Sequence, residues 1–139
     1  MKHGYSTDIK GVKARGKELS ISPKKSYELA NAIRGKPLEK AKKYLEMVIH
    51  KETPVPYKRY DWNIPHRKGM AAGRYPVKTA KGFLSILKSA EANAKSLSIP
   101  SEKLRVTCIS ASKGRPIIGR RKGSTYNTKT TNLEVVLGE

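Results

Sequence analysis

Acidic side chains are scarce in this sequence. There are 11 Asp and Glu against 30 Lys and Arg, and positions 103 to 133 hold no acid at all. The formal charge of +19 far exceeds what solubility requires, and a compact chain so charged repels itself. A polyanionic partner relieves that repulsion, and nucleic acid is the commonest one. An anionic membrane is the rival, but it requires a basic amphipathic helix with aromatics on one face, or a lipidation signal. Neither is found. Cysteine is almost missing: one residue, Cys108, excludes an internal disulfide and fits a reducing compartment. The opening MKHGYSTDIKG lacks the apolar run of a secretory signal. No stretch approaches the length of a membrane span, so a cytosolic chain without a membrane anchor is expected. The apolar share of 37 % suits one small core, and a single domain over 1–139 is expected. Segments poor in apolar residues must find their order elsewhere.

What is present divides into patterned and unpatterned stretches. Residues 1–10 are polar, and 11–21 read as a short irregular strand. SPKKSYELANAIRG follows. Ser22 suits an N-cap, Pro23 the first helical position and Gly35 the stop, with Leu29 and Ile33 one turn apart. KPLEKAKKYLEMVIH gathers Leu38, Ala41, Leu45, Val48 and Ile49 on one helical face. The strongest helical stripe is Val77, Ala80, Phe83, Leu84, Leu87, Ala90, Ala94 and Leu97, closed by Pro100 and Ser101. KLRVTCIS alternates Leu104, Val106 and Cys108, which makes Cys108 a buried structural thiol. LEVVL alternates Leu133, Val135 and Leu137, and the two runs suggest an antiparallel hairpin.

Two unpatterned stretches carry the charge. Residues 51–76 hold four prolines and no sustained period, which reads as a long loop. It interleaves Tyr57, Arg59, Tyr60, Trp62, Arg67, Lys68 and Arg74. Rings stack on unpaired bases and Arg contacts phosphate, so the mixture suits RNA. The plainer alternative is a proline loop whose aromatics cover the core edge. Residues 113–132, KGRPIIGRRKGSTYNTKTTN, separate the two alternating strands with far more chain than a turn needs. At the first helix, Lys24 and Lys25 put positive charge at the positive end of a helix dipole, which costs about a few tenths of a kcal/mol. Two solvated lysines would explain them; a helix start aimed at a phosphate explains them better.

Other chemistry fails on spacing. Gly114 and Gly119 have the gap of a phosphate-binding P-loop, but Arg120 and Arg121 follow where Lys and Ser or Thr are required, and STYNTKTTN is poor helix material. Cys108, His3, His50 and His66 show no metal-ligand spacing. The basic segments almost lack the acids a nuclease or modifying site needs. No catalytic residue, metal or cofactor is expected.

ISPKKSYELANAIRGKPLEKAKKYL resembles the first two helices of the universal large-subunit ribosomal protein family called L-twenty-two in bacteria and L-seventeen in eukaryotes. VPYKRY followed by GRYPVKTAKGFLSILKSAEANA resembles its archaeal and eukaryotic branch. The resemblance implies an α+β fold of three helices packed on a small three-stranded antiparallel sheet. A long β-hairpin protrudes over 104–137, with its tip near 119–124. It implies a non-catalytic protein of the cytoplasmic large ribosomal subunit that binds 23S-type rRNA and neighbouring ribosomal proteins and aids assembly. The hairpin is expected to line part of the exit tunnel, beside the nascent polypeptide. At the tip, the family pattern Pro-Arg-Ala-x-Gly-Arg aligns with Gly119, Arg120, Arg121, Lys122, Gly123 and Ser124. Arg120 and Gly123 match, but glycine replaces the proline and serine the second arginine, so a contact by that arginine does not carry over.

The expected phosphate contacts are Lys24, Lys25, Arg59, Arg67, Lys68, Arg74, Lys113, Arg115, Arg120, Arg121 and Lys122. Tyr57, Tyr60, Trp62 and Tyr126 are the expected stacking residues. A free-standing RNA chaperone or other basic nucleic-acid-binding protein is the alternative, disfavoured because an isolated extended ribbon is marginal in water.

Overall fold

The computed structural model describes residues 5–138, the Arg121 side chain excepted. Strand β1 (Val12–Leu19) leads into helices α1 (Pro23–Ile33) and α2 (Leu38–Ile49). Short strands β2 (Val55–Pro56), β3 (His66–Arg67) and β4 (Met70–Arg74) precede helix α3 (Val77–Ser96). Strands β5 (Arg105–Lys113), β6 (Ile117–Arg121), β7 (Ser124–Thr128) and β8 (Thr131–Gly138) follow. The fold is α+β, with three helices against a three-stranded antiparallel sheet in the order β1-β8-β5.

Strand alternation sets the layers. Val12 pairs with Leu137, Ala14 with Val135 and Gly16 with Leu133. Across β8, the same three residues meet Val106, Ile109 and Ala111. These rows share one face because side chains two residues apart point the same way. That face packs on the helices, whose buried residues include Leu29, Ile33, Leu45, Phe83 and Leu87. A β-bulge between Val106 and Cys108 shifts the register. The expected alternation of Leu104, Val106 and Cys108 therefore breaks: Ile109 takes the core position, and Cys108 pairs with Val136 on the opposite face, half-buried. Residues 5–10 reach this second face. The Ser6 amide donates to Glu134 Oε2 at 2.9 Å, and Lys13 Nζ donates to the Thr7 carbonyl at 3.0 Å.

Helix α1 begins where Pro23 allows, but the Ser22 side chain makes no cap hydrogen bond. Gly35 stops it at φ +78, a left-handed conformation that costs glycine little. The linker then pairs with the sheet. The Gly35 N–H donates to the Val106 carbonyl, and the Leu38 N–H donates to the Leu104 carbonyl. Helix α3 buries Ala80, Phe83, Leu87, Ala90 and Ala94 as its stripe predicts, and Ile86 as well. Leu97 lies past the last helical turn and is exposed, so it does not join the stripe.

Residues 51–76 are more ordered than a loop. Strands β2, β4 and β3 form a second small antiparallel sheet. Two-residue strands are too short to show a period in sequence, and paired backbone supplies the order that apolar patterning does not.

Beyond Lys113 the ladder between β5 and β8 is interrupted. The Gly114 N–H donates to the Thr130 carbonyl at 3.0 Å, and the Thr130 hydroxyl donates to the Arg115 carbonyl. Thr130 is buried at this joint. Strands β6 and β7 then continue as a two-stranded ribbon, from Ile117 opposite Thr128 to Arg121 opposite Ser124. Its turn is Lys122–Gly123, at φ +47 and +75. Positive φ at both central residues is the two-residue hairpin turn that matches strand twist. Gly119 lies before this turn. It pairs with Tyr126 within the ribbon, and a Cβ there would stand 2.5 Å from the Tyr126 ring.

Candidate nucleic-acid interface

Glu28, on α1, organises the globular half of the interface. It is 1 % exposed, and its carboxylate accepts from the backbone N–H groups of Lys58, Arg59 and Tyr60 at 3.1, 2.9 and 2.8 Å. A buried charge needs such donors. By gathering three successive amides it fixes the turn that carries Arg59 and Tyr60. The Tyr27 and Tyr60 rings meet edge-on, with centroids 5.8 Å apart and planes at 87°. Arg59 lies 5.1 Å from the Tyr27 centroid and 5.7 Å from that of Tyr60, and Lys24 Nζ lies 5.4 Å from Tyr60. Hydrogen bonding by Arg59, and then by Asn31, holds the Tyr27 phenol below the ordinary tyrosine range. The cluster thus combines rings and cations, as stacking and phosphate contact require.

Two open clefts flank it. One, of about 340 Å³, is lined by Lys24, Lys25, Arg59, Tyr60, Trp62 and Arg74, among others. The other, of about 370 Å³, is lined by Lys24, Tyr27, Tyr60, Lys113 and Lys129. Neither lining contains an acid. Trp62 is 87 % exposed, a high value for so large a ring and one that leaves most of it open to a base.

Tyr57 is not a surface stacking residue. It is 6 % exposed and its ring belongs to the core. It follows buried Val55 just past β2, where apolar contact outweighs the surface role read from its basic neighbours. Arg67 is exposed and lies 5.4 Å from the Tyr75 ring. Lys68 is exposed in the turn between β3 and β4. Neither lines either cleft.

Lys113, Arg115, Arg120, Lys122 and Tyr126 are exposed along the long hairpin, as are Gly123 and Ser124. The side chain of Arg121 lies outside the described residues. Lys113 alone of these reaches a cleft, where Lys129 joins it. Ile117 and Ile118 are exposed too, the latter at 68 %. Among the described residues no group of three His, Cys, Asp or Glu gathers as a metal site, and no helix is long and apolar enough to cross a membrane.

The family model described as Ribosomal protein L22p/L17e matches residues 14–138. The chain belongs to this family. Among its relatives, the large ribosomal subunit protein uL22 of Methanosphaera stadtmanae is 44 % identical over 140 residues, covering 95 % of this chain and 91 % of that protein. The uL22 proteins of Ignicoccus hospitalis and Methanococcoides burtonii are 43 % and 42 % identical. Each alignment covers 97 % of this chain, and 96 % and 95 % of the relative respectively.

In this L22p/L17e chain, sequence reasoning passed over three contributors. Tyr27 sits on α1 among ordinary helix residues, and Lys129 lies in a threonine-rich run. Glu28 is a lone acid between Tyr27 and Leu29. A signal existed for Glu28: it falls beside the α1 core stripe of Leu29 and Ile33, where an acid must find buried donors.

Proposed function

We propose that this chain is a structural, non-catalytic constituent of the cytoplasmic large ribosomal subunit. It binds 23S-type rRNA beside neighbouring ribosomal proteins, and its basic hairpin is the part that reaches deepest into RNA. The observation that carries this reading is the acid-free ribbon. Among the described residues no helix packs on it; it exposes Lys, Arg and Ile side chains together and keeps its backbone bonds within its own two strands. Charge neutralisation and shape fitting are the mechanism. The hairpin lines part of the nascent-peptide tunnel, with the Lys122–Gly123 turn at its far end. Two experiments test the reading. Sedimentation of cell lysate should place the chain with large subunits; recovery mostly outside them would sink it. If roughly six to ten phosphates are neutralised, rRNA affinity should fall about 10³ to 10⁵-fold between about 50 and 200 mM salt. A flat response contradicts the electrostatic mechanism.

A further inference from the structure

The cleft beside α1 contains an anomaly. Tyr57 lines it, yet the Tyr57 hydroxyl is buried without any hydrogen-bond partner, one of two such side-chain atoms among the described residues. An unpaired buried hydroxyl is destabilising, and phenylalanine would fill the same core space without it. Burial pushes the phenol up to about 12, and the Arg74 charge acts on it in the opposite sense. The hydroxyl therefore stays a neutral donor over the physiological range, with Arg74 close by. The start of α1 borders the same cleft and has no side-chain cap. The Lys24 and Lys25 amides, in the first helical turn, thus have no intrahelical acceptor, and the dipole there favours an anion.

We infer that this cleft is a dedicated site for one RNA phosphodiester, with the Tyr57 hydroxyl as its buried donor, Arg59 and Arg74 as its cations, and Trp62 as the platform for the attached base. This rests on the rRNA-binding reading and deepens it. The phosphate oxygens accept from the phenol, the α1 amides and the guanidinium groups. The hydroxyl is covered in the free chain, so the side chains over it must swing onto the anion as it enters.

Trp62 is the single tryptophan, so its emission reports on the cleft directly. The full chain and its Tyr57→Phe variant are titrated with a large-subunit rRNA transcript, following Trp62 emission and filter retention. The variant keeps the ring and should melt no lower than the parent. Its rRNA affinity should fall about tenfold, the loss expected for one hydrogen bond to a charged group, with a smaller Trp62 response. Arg74→Gln, at an exposed position, should weaken binding in the same direction and guards against a folding defect in the first variant. Inorganic phosphate, against chloride at equal ionic strength, should leave Trp62 emission unchanged; a full response to phosphate alone would make this a free-anion site and overturn the proposal. Tyr57→Phe binding as tightly as a tightly binding parent overturns the phosphodiester site and leaves the rRNA reading intact. A parent that binds no rRNA overturns both.

Discussion

The body of the molecule and its distal ribbon are both antiparallel sheet, yet they are held by different means. In the body, β8 pairs on both sides and buries Leu133, Val135 and Leu137 against the helices. In the ribbon, β6 and β7 pair only with each other, and Ile117, Ile118 and Tyr126 remain exposed. An isolated two-stranded ribbon is marginal in water. The same hydrogen-bonded ladder is thus a finished structure in one place and a half-finished one in the other. What differs is whether a second layer covers it, and for the ribbon that layer is proposed to be RNA.

The largest effect should come from removing the ribbon. Replacing residues 115–128 by an Asn-Gly turn should leave the thermal melt close to that of the parent. Binding to rRNA should weaken roughly 10³-fold at about 100 mM salt, and the slope of log affinity against log salt should flatten by about 3, because four basic residues go. Unchanged affinity in filter binding would place the interface on the body instead.

Next in size is a matched pair of truncations, read by urea unfolding. Leu45→Ala, in the core, should cost about 3 kcal/mol through transfer and cavity terms. Ile118→Ser, in the ribbon, should cost less than about 0.5 kcal/mol, as for other exposed sites. Equal costs would show that the ribbon is packed in the free chain, and the contrast would collapse.

Glu28→Gln probes the seam between body and interface. The amide keeps one acceptor but sets its own N–H₂ against backbone donors, so a loss of about 2 kcal/mol is expected. Hydrogen exchange should quicken first at the Lys58, Arg59 and Tyr60 amides. Uniform acceleration across the sheet would deny Glu28 its local role.

The smallest effect concerns acid. The hydrogen bond from Lys42 to Glu91, at 2.9 Å, holds that carboxyl below the ordinary carboxylate range, with Lys95 adding to it. A lowered folded-state value means that the contribution is present above the unfolded value of about 4.3 and is lost as pH falls through the folded one. Lys42→Met should flatten stability against pH in that window, by less than about 1 kcal/mol for a half-buried pair at the surface. The ribbon has no carboxylate and cannot contribute; an unaltered pH profile in the variant would remove the pair from the account.

Much of the body was legible in advance because helices of 11, 12 and 20 residues repeat their apolar positions often enough to be seen. Pro23 and Gly35 marked the limits of α1 by backbone chemistry alone. What escaped has physical causes. A bulge is one extra residue, and it moved Cys108 off the core face without altering composition. Tyr57 and Trp62 sit in one basic aromatic run, and only their tertiary neighbours decide that the first is buried and the second exposed. The basic residues of the interface were legible from charge, while Glu28, which holds two interface residues in place, was hidden because acids are so rare here that each reads as incidental.

The position of β8 has a consequence in time. It is the central strand of the main sheet, and its partners are β1 and β5, so residues 12–19 wait for residues 131–138 before their ladder can close. During synthesis α1, α2 and α3 can form as they emerge, but the sheet surface they must cover is incomplete until residues 131–138 have been made. The ribbon is translated before the strand that anchors its return limb. The ribbon can pair within itself once Thr128 has been made, but the body waits for β8, and a chain stalled before Thr131 would present its helices without the closed main sheet.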